Sequence, residues 1–334
     1  MKVGSSAAYQ GAGWQPRKND LAGDVREGRL WRTSGNVGEF GVLRTAMIGL
    51  PSPDWPIPGS WNEVQYLGPV NFGRLRAELI GFVRVLEEFD VEVIIRELQP
   101  SRTGLTLYNS CFVRDQFFMT PEGAVVARMA SIPRAGEEFG VAVDLARAGI
   151  PVLATISGFG TFEGADALWL RPDLVLVGSG SRTNVEGVKQ VRAILGRQNV
   201  TVIEVPVPAG IQHLLGVLQL VDHDLAMVRT ELTNRRVPDV LAEHGVRVVH
   251  VSEVPSVTRD QAMNFVVLGP RRVIMVDGAP SVAQWFADNG VEVVATTPCP
   301  QLIRAAGGLG CVTGIVYREE PRDGEVGSLT NVDK

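Results

Sequence analysis

The stretch DLVLVGSG (residues 173–180), followed by NVEGVKQVRAILGRQ (184–198) and VTVIEVPVP (200–208), decides the fold. The outer pieces are β-branched apolar runs of strand length. The middle one places Val188, Val191, Ile194 and Leu195 at helical spacing. The unit is therefore strand, polar loop, amphipathic helix, strand. It returns in GAVVARMA, EEFGVAVDLARAG and IPVLATIS (123–157), in DLAMVRTEL, VPDVLAEHG and VRVVHVSE (224–253), and in RRVIMVDGAP, SVAQWFADNG and VEVVATTP (271–298). A longer first copy runs LRTAMIGLPS, FGRLRAELIGFVRVLEEFD and VEVIIREL (43–98), which makes five. Repeats of this period argue for an α/β protein of radially arranged or stacked units, not two unrelated domains.

Five further short segments lead into the next copy or close the chain: YNSCFVRDQFFMT (108–120), FGTFEGADALWL (159–170), IQHLLGVLQLV (211–221), QAMNFVVLGP (261–270) and GLGCVTGIVY (308–317). Their notable polar residues are Asp115, Glu163, His213, Asn264 and Cys311, at separations of 48, 50, 51 and 47. Equivalent positions in a closed ring of repeats converge on its axis. Two acids, a histidine, an amide and a thiol are thus expected at one central site. Cys311, set among glycines in GGLGCVTG (307–314), is placed just before or within a final strand at 312–317.

Bulk properties remove other classes. The 334 residues carry a formal net charge of -5, which gives no electrostatic case for nucleic acid or an anionic membrane. No apolar run has the length of a membrane span, and the start MKVGSSAAYQGAGWQPRKND (1–20) lacks a signal-peptide core. Three cysteines make no disulfide framework, and four histidines without C-x-x-C or H-x-x-x-H spacing argue against structural zinc. The expectation is a reduced, cytoplasmic protein that needs no metal or cofactor. Cys111 reads as core and Cys299, between two prolines, as a loop thiol. The GSGSRT turn (178–183) lacks the third glycine of a dinucleotide fingerprint and is not read as one.

The chemistry follows from the residue types. A thiolate nucleophile needs a nearby histidine or positive group. Two carboxylates beside it suit a cationic substrate, because a planar guanidinium offers a fork of N–H donors that carboxylates accept in pairs. Attack of the Cys311 sulfur on the guanidinium carbon would leave a covalent amidino-thioether. His213 would protonate the departing amine and then activate water. Water as second nucleophile gives a urea-type product, and an amine gives amidino transfer.

In NSCFVRD (109–115), FEGAD (162–166), SRTN (181–184), QHLL (212–215) and GGLGC (307–311) the chain resembles the guanidino-group-modifying enzymes: arginine deiminase, dimethylarginine dimethylaminohydrolase and the amidinotransferases. The resemblance covers about residues 40–320 and implies their fivefold pseudosymmetric α/β propeller, the pentein fold. It implies an arm at 1–40, one catalytic domain at 41–320 and a tail at 321–334. It further implies Cys311 as nucleophile, His213 as general acid and base, and Glu163 and Asp115 as the guanidinium grip. Arg134 and Arg182 would hold a substrate carboxylate. Asp166 and Asn109 complete the substrate-binding set, Asp166 by supporting the backbone near Glu163 and Asn109 by orienting the segment that carries Asp115. The expected partner is a small guanidino compound, with a homodimer or larger homo-oligomer left open.

Two departures matter. Where arginine deiminases carry H-x-D, this chain has His213-Leu214-Leu215, so one side of the pocket is apolar and an N-substituted guanidine is favoured over arginine. Gln116 stands where proline often follows the aspartate, which affects a turn. The leading expectation is a hydrolase of such a substrate. The alternatives are an amidinotransferase and, more distantly, a non-catalytic sensor of cationic amino acids. The arm is left as a lid, a subunit contact or packing under the ring.

Overall fold

The computed structural model describes residues 6–100 and 104–320, so the tail expected at 321–334 lies outside the described residues. Strand β1 (Val42–Leu50) runs into the helix Phe72–Glu88, which returns the chain to β2 (Glu92–Glu97), parallel to β1. The same crossover recurs four times. A hairpin strand, β3 (Phe117–Thr120), precedes β4 (Gly123–Val126), and the helix Glu137–Arg147 leads to β5 (Val152–Thr155). Then come β6 (Ala167–Arg171), β7 (Leu174–Ser179), the helix Val185–Gly196 and β8 (Thr201–Pro206). Next are β9 (Leu218–Asp222), β10 (Leu225–Val228), the helix Arg236–Glu243 and β11 (Arg247–His250). Last are β12 (Val266–Gly269), β13 (Arg272–Val276), the helix Pro280–Asp288 and β14 (Glu292–Thr297), followed by β15 (Gly314–Glu319).

Each of the five sheets has three strands, the central one antiparallel to a hairpin partner and parallel to the strand after its helix. The first sheet takes its antiparallel strand from the far end of the chain, β15 against β1. The first and last strands therefore meet in one sheet, as the repeat count requires of a fivefold α/β propeller. A parallel pair needs a crossover of helical length, which is why every copy carries one. The helices form where the pattern predicts. Asn71 and Asn184 cap two of them by accepting from the N–H groups of Arg74 and Gly187. Their apolar stripes cover the sheets, with Val188, Val191 and Leu195 fully buried against Val175 and Val177.

The arm packs along the closing sheet: Gly35 exchanges backbone hydrogen bonds with Val316 and Arg318. It also carries Glu39 inward, where the carboxylate accepts from Arg114 Nη2 at 2.9 Å and from the Trp169 N–H. Arg114, the neighbour of Asp115, is thus paired with the arm and not with Asp115. Among the described residues no helix is long and apolar enough to cross a membrane.

Candidate active site

All five register residues sit at the same place in their units, on a short turn just before the hairpin strand. Asp115 lies on the helical turn Val113–Gln116 before β3, and Glu163 and His213 each precede a 3-10 turn, Gly164–Asp166 and Leu214–Gly216. Asn264 lies in the turn before β12, and Cys311 is on the helical turn Leu309–Val312. The last point corrects the expected strand at 312–317: β15 begins at Gly314, and the thiol stands one turn before it. The glycines answer to this packing. A Cβ at Gly308 would stand 2.6 Å from Asn264 Cβ, and one at Gly310 would stand 2.9 Å from Asn264 Oδ1. Their absence lets the Asn264 amide reach the thiol. Its Nδ2 donates to Cys311 Sγ at 2.9 Å, while its Oδ1 accepts the Cys311 N–H at 3.1 Å.

Gly164 is a second forced position. A methyl there would overlap the backbone carbonyl oxygens of Phe117 and Arg114, which cannot rotate away. Gly164→Ala is expected to cost about 3 kcal/mol, the range of overpacking in a close-packed interior. Urea unfolding checks it: a change under about 0.5 kcal/mol, the size of an ordinary surface substitution, would mean that these turns are loosely held.

Glu163 is the hub of the polar set. One oxygen, Oε2, lies 2.7 Å from His213 Nε2, 3.3 Å from Arg134 Nη1 and 3.4 Å from Arg182 Nη1, while Oε1 accepts the Ala130 N–H at 3.1 Å. Burial opposes its charge, but Arg134, the His213 hydrogen bond and Arg182 outweigh it and bring the carboxyl down to about 2. For His213 burial likewise opposes the charge, yet Asp115, the Glu163 bond and Asp166 raise the imidazole to about 9. At neutral pH the pair is carboxylate and imidazolium, so Nε2 donates to Glu163. The Cys311 thiol is pushed up to about 11 by burial and by Asp115, against the Asn264 and Gly308 hydrogen bonds and Arg134.

The expected set is brought together with one revision. Arg134 was expected at a substrate carboxylate. Instead its guanidinium is turned inward and 3% exposed, with Nη1 donating to Asp115 Oδ2 at 2.7 Å and Nη2 to Glu137 Oε2 at 2.9 Å. A buried guanidinium needs compensating carboxylates, and three surround this one: Glu137, Asp115 and Glu163. Asp166, counted with the substrate-binding residues, is sealed off at 1% exposure. It accepts the Thr183 hydroxyl at 2.6 Å and the Leu214 N–H at 2.9 Å. Its burial raises it to about 6. Asp166 therefore supports the backbone at the strand entry behind His213, in the manner expected of it.

Arg182, partly exposed, and Asn109 do line the small space in front of Cys311, together with Gln65, Asp115 and Arg134. Asn109 also ties down the Ser52–Val70 region by donating to the Val64 carbonyl at 2.9 Å. Leu215 forms part of the wall shared by His213 and Cys311, as the missing aspartate predicts. Cys111 is fully buried core, and its thiol is pushed to about 12 by burial. Cys299 stands in the loop between β14 and the helix Pro300–Arg304, as its reading as a loop thiol expects, and is buried there at 3% exposure. Asp222 and Asp224 are held by Arg271 and lie away from this wall.

Two contributors, Glu137 and Gln65, were not read from the sequence, and a third was read only in part. For Glu137 the i,i+3 spacing from Arg134 was a signal. Gln116 was read only as affecting a turn, and its part is larger: fully buried, it accepts from Arg96 and donates to the Ser110 and Phe112 carbonyls, bracing the turn that carries Asp115. Gln65, in a long loop and with φ of 65°, had no sequence signal. Asp115, Glu163 and His213 present atoms within 4.8 Å of one another, a set that could also hold a divalent cation. In this arrangement the charge they face is the guanidinium of Arg134, and His213 Nε2 is spent as a donor.

The arginine deiminase family model matches residues 106–238. The dimethylarginine dimethylaminohydrolase of Streptomyces coelicolor is 31% identical over 186 residues, 56% of this chain and 66% of that protein. The enzyme of the same name from Pseudomonas aeruginosa is 23% identical over 248 residues, 74% of this chain and 91% of that one. In fold, a cysteine-to-serine form of the Pseudomonas aeruginosa enzyme complexed with citrulline superposes with a TM-score of 0.67 at 20% identity, covering 83% of this chain and 100% of that one. The inosamine-phosphate amidinotransferase of Streptomyces griseus gives 0.67 at 14% identity, covering 86% and 97%. The five-sheet ring, the axial thiol, histidine and carboxylates, and these similarities together support the guanidino-group-modifying, or pentein, superfamily for this chain.

Proposed function

We propose that the chain is a cysteine-dependent hydrolase of an N-substituted, arginine-like guanidine. The observation that carries this is Arg134: next to Cys311, Asp115 and Glu163 already grip a guanidinium, the protein's own. Asp115 Oδ1 meanwhile is buried without a hydrogen-bond partner, an acceptor left for a second N–H. A carboxylate pair that binds one guanidinium in a desolvated site is chemically suited to another.

Only about 10 Å3 is free between Asp115, Arg134, Arg182 and Cys311, so the substrate must displace Arg134. Turned outward, Arg134 joins Arg182 as a bidentate site for the substrate carboxylate. The incoming cation favours the thiolate, on which Arg134 exerts the weakest of the named effects. Sulfur then bonds to the guanidinium carbon and the C–N bond to the substituted amine breaks. His213 gives that amine its proton, leaving the amidino-thioether on Cys311. Neutral His213 then takes a proton from water as its oxygen bonds to the same carbon. The thiolate departs and a urea-type product remains. The three cysteines are all free thiols, in keeping with a reducing, cytoplasmic setting.

The test is product analysis by mass spectrometry on arginine, its N-methylated forms, agmatine and a guanidino acid, with and without amine acceptors. Citrulline plus a released amine supports the hydrolase. Ornithine plus an amidinated acceptor replaces it with amidino transfer, and binding without turnover replaces it with a sensor. Arg182→Ala is expected to raise KM for arginines about 10-fold, the loss of one charge-assisted contact of about 1.5 kcal/mol, and to spare agmatine. Equal loss on both substrates would remove the carboxylate role.

A further inference from the structure

Cys311 stands between two very unequal spaces. On the Asp115 side the free volume is about 10 Å3, and on the His213 side it opens into a cavity of about 330 Å3. The larger cavity is walled by apolar groups from Leu67, Ile211, Leu215, Leu232 and Met263 and by polar ones from Gln212, Thr258, Gln261 and Asn264. No carboxylate faces it, and its one arginine, Arg229, is held by Glu253 at 2.9 and 2.6 Å. His213, the other cation on its wall, is held by Glu163 at 2.7 Å, so neither charge is left unpaired for a ligand.

We infer that the departing nitrogen of the substrate carries an apolar alkyl or aryl group larger than methyl, seated in this cavity. The inference rests on the reaction proposed above. His213 is the acid for the leaving amine, and His213 lines this cavity, so the bond that breaks points its substituent here. Size sets the class of substituent. An apolar cavity of about 150 Å3 takes a benzene ring, and this one is larger, so one or two methyl groups would leave most of it unfilled. Leu67, 73% exposed at the mouth, keeps the outer end open to a chain longer than the cavity floor.

The experiment compares Nω-methyl-, Nω-propyl-, Nω-butyl- and Nω-benzyl-L-arginine with the full-length protein, reading kcat/KM and the released amine. Each buried methylene is expected to raise kcat/KM about fourfold from methyl to butyl. Leu232→Asn, at a half-buried position on the cavity wall, should flatten that series by lowering kcat/KM for the butyl compound more than for the methyl one. A flat or falling series in the unmodified protein overturns the inference. Should none of the four react, the proposed reaction falls and the cavity is judged by binding. In that case titration calorimetry of the methyl and butyl compounds against Cys311→Ser must still show tighter binding of butyl, and equal affinities overturn the inference.

Discussion

Cys311→Ala is expected to lower kcat/KM on a guanidino substrate by on the order of 10^4-fold or more, the scale of removing a covalent nucleophile whose partners act as a unit. The fold should survive, because the Asn264 Oδ1 bond to the backbone N–H of residue 311 does not involve sulfur. Circular dichroism and an unchanged urea midpoint would verify that. Mass spectrometry should find an amidino adduct on the unmodified protein and none on the variant. Residual activity within about tenfold of the parent would mean that another group does the chemistry, since a general effect of packing is no larger than that. The reactivity of the free thiol is set by its environment. With the group near 11, roughly one thiol in 10^4 is ionised at pH 7. Iodoacetamide labelling of Cys311 should therefore be slow at neutral pH and climb toward pH 11. A bound guanidinium should bring that rise to lower pH.

Glu163→Gln is expected to lower kcat/KM about 10^3-fold, the scale of a disabled general acid. It should also change the pH profile. The Glu163 hydrogen bond and charge help hold His213 near 9 against the opposing effect of burial. A group raised in this way keeps its proton below its folded value and loses it above, so the unmodified protein should keep its acid up to about pH 9. Removing the carboxylate charge lets burial count for more, and the basic limb must move to lower pH. Arg134 and Arg182 would lose the same partner, so KM should rise as well. A variant that loses rate with an unmoved basic limb would show that Glu163 acts on the cation alone and not through His213. Histidine signals followed by nuclear magnetic resonance across pH 6–10 would separate the two effects, about the span over which a perturbed imidazole titrates.

Much of the site was legible because it is a matter of register. Five residues at nearly equal separations, each just before a hairpin strand, must meet if the units form a ring, and Asp115, Glu163, His213, Asn264 and Cys311 do occupy equivalent turns. Leu215 was legible through the resemblance, which sets an aspartate two residues after the histidine, and it does line the wall shared with His213. Arg134 shows where that logic stops. It was expected near the site, but the direction of its side chain depends on which carboxylates burial leaves in need of a cation, and Asp115, Glu137 and Glu163 all surround it. Asp166 was sealed by Thr183 and the Leu214 N–H, partners 17 and 48 residues away.

By itself the sequence determined the number of units, the helices and strands of each, the ring they form and the residues that face its axis. These follow from the period of apolar residues and from the length a parallel crossover requires. Only the tertiary structure decided the charge states, the inward turn of Arg134, the bracing by Gln116 and Glu39, and the unequal spaces on either side of Cys311. Those depend on distances between side chains of different units in a desolvated interior, where a few ångströms change which charge is neutralised and which proton is held.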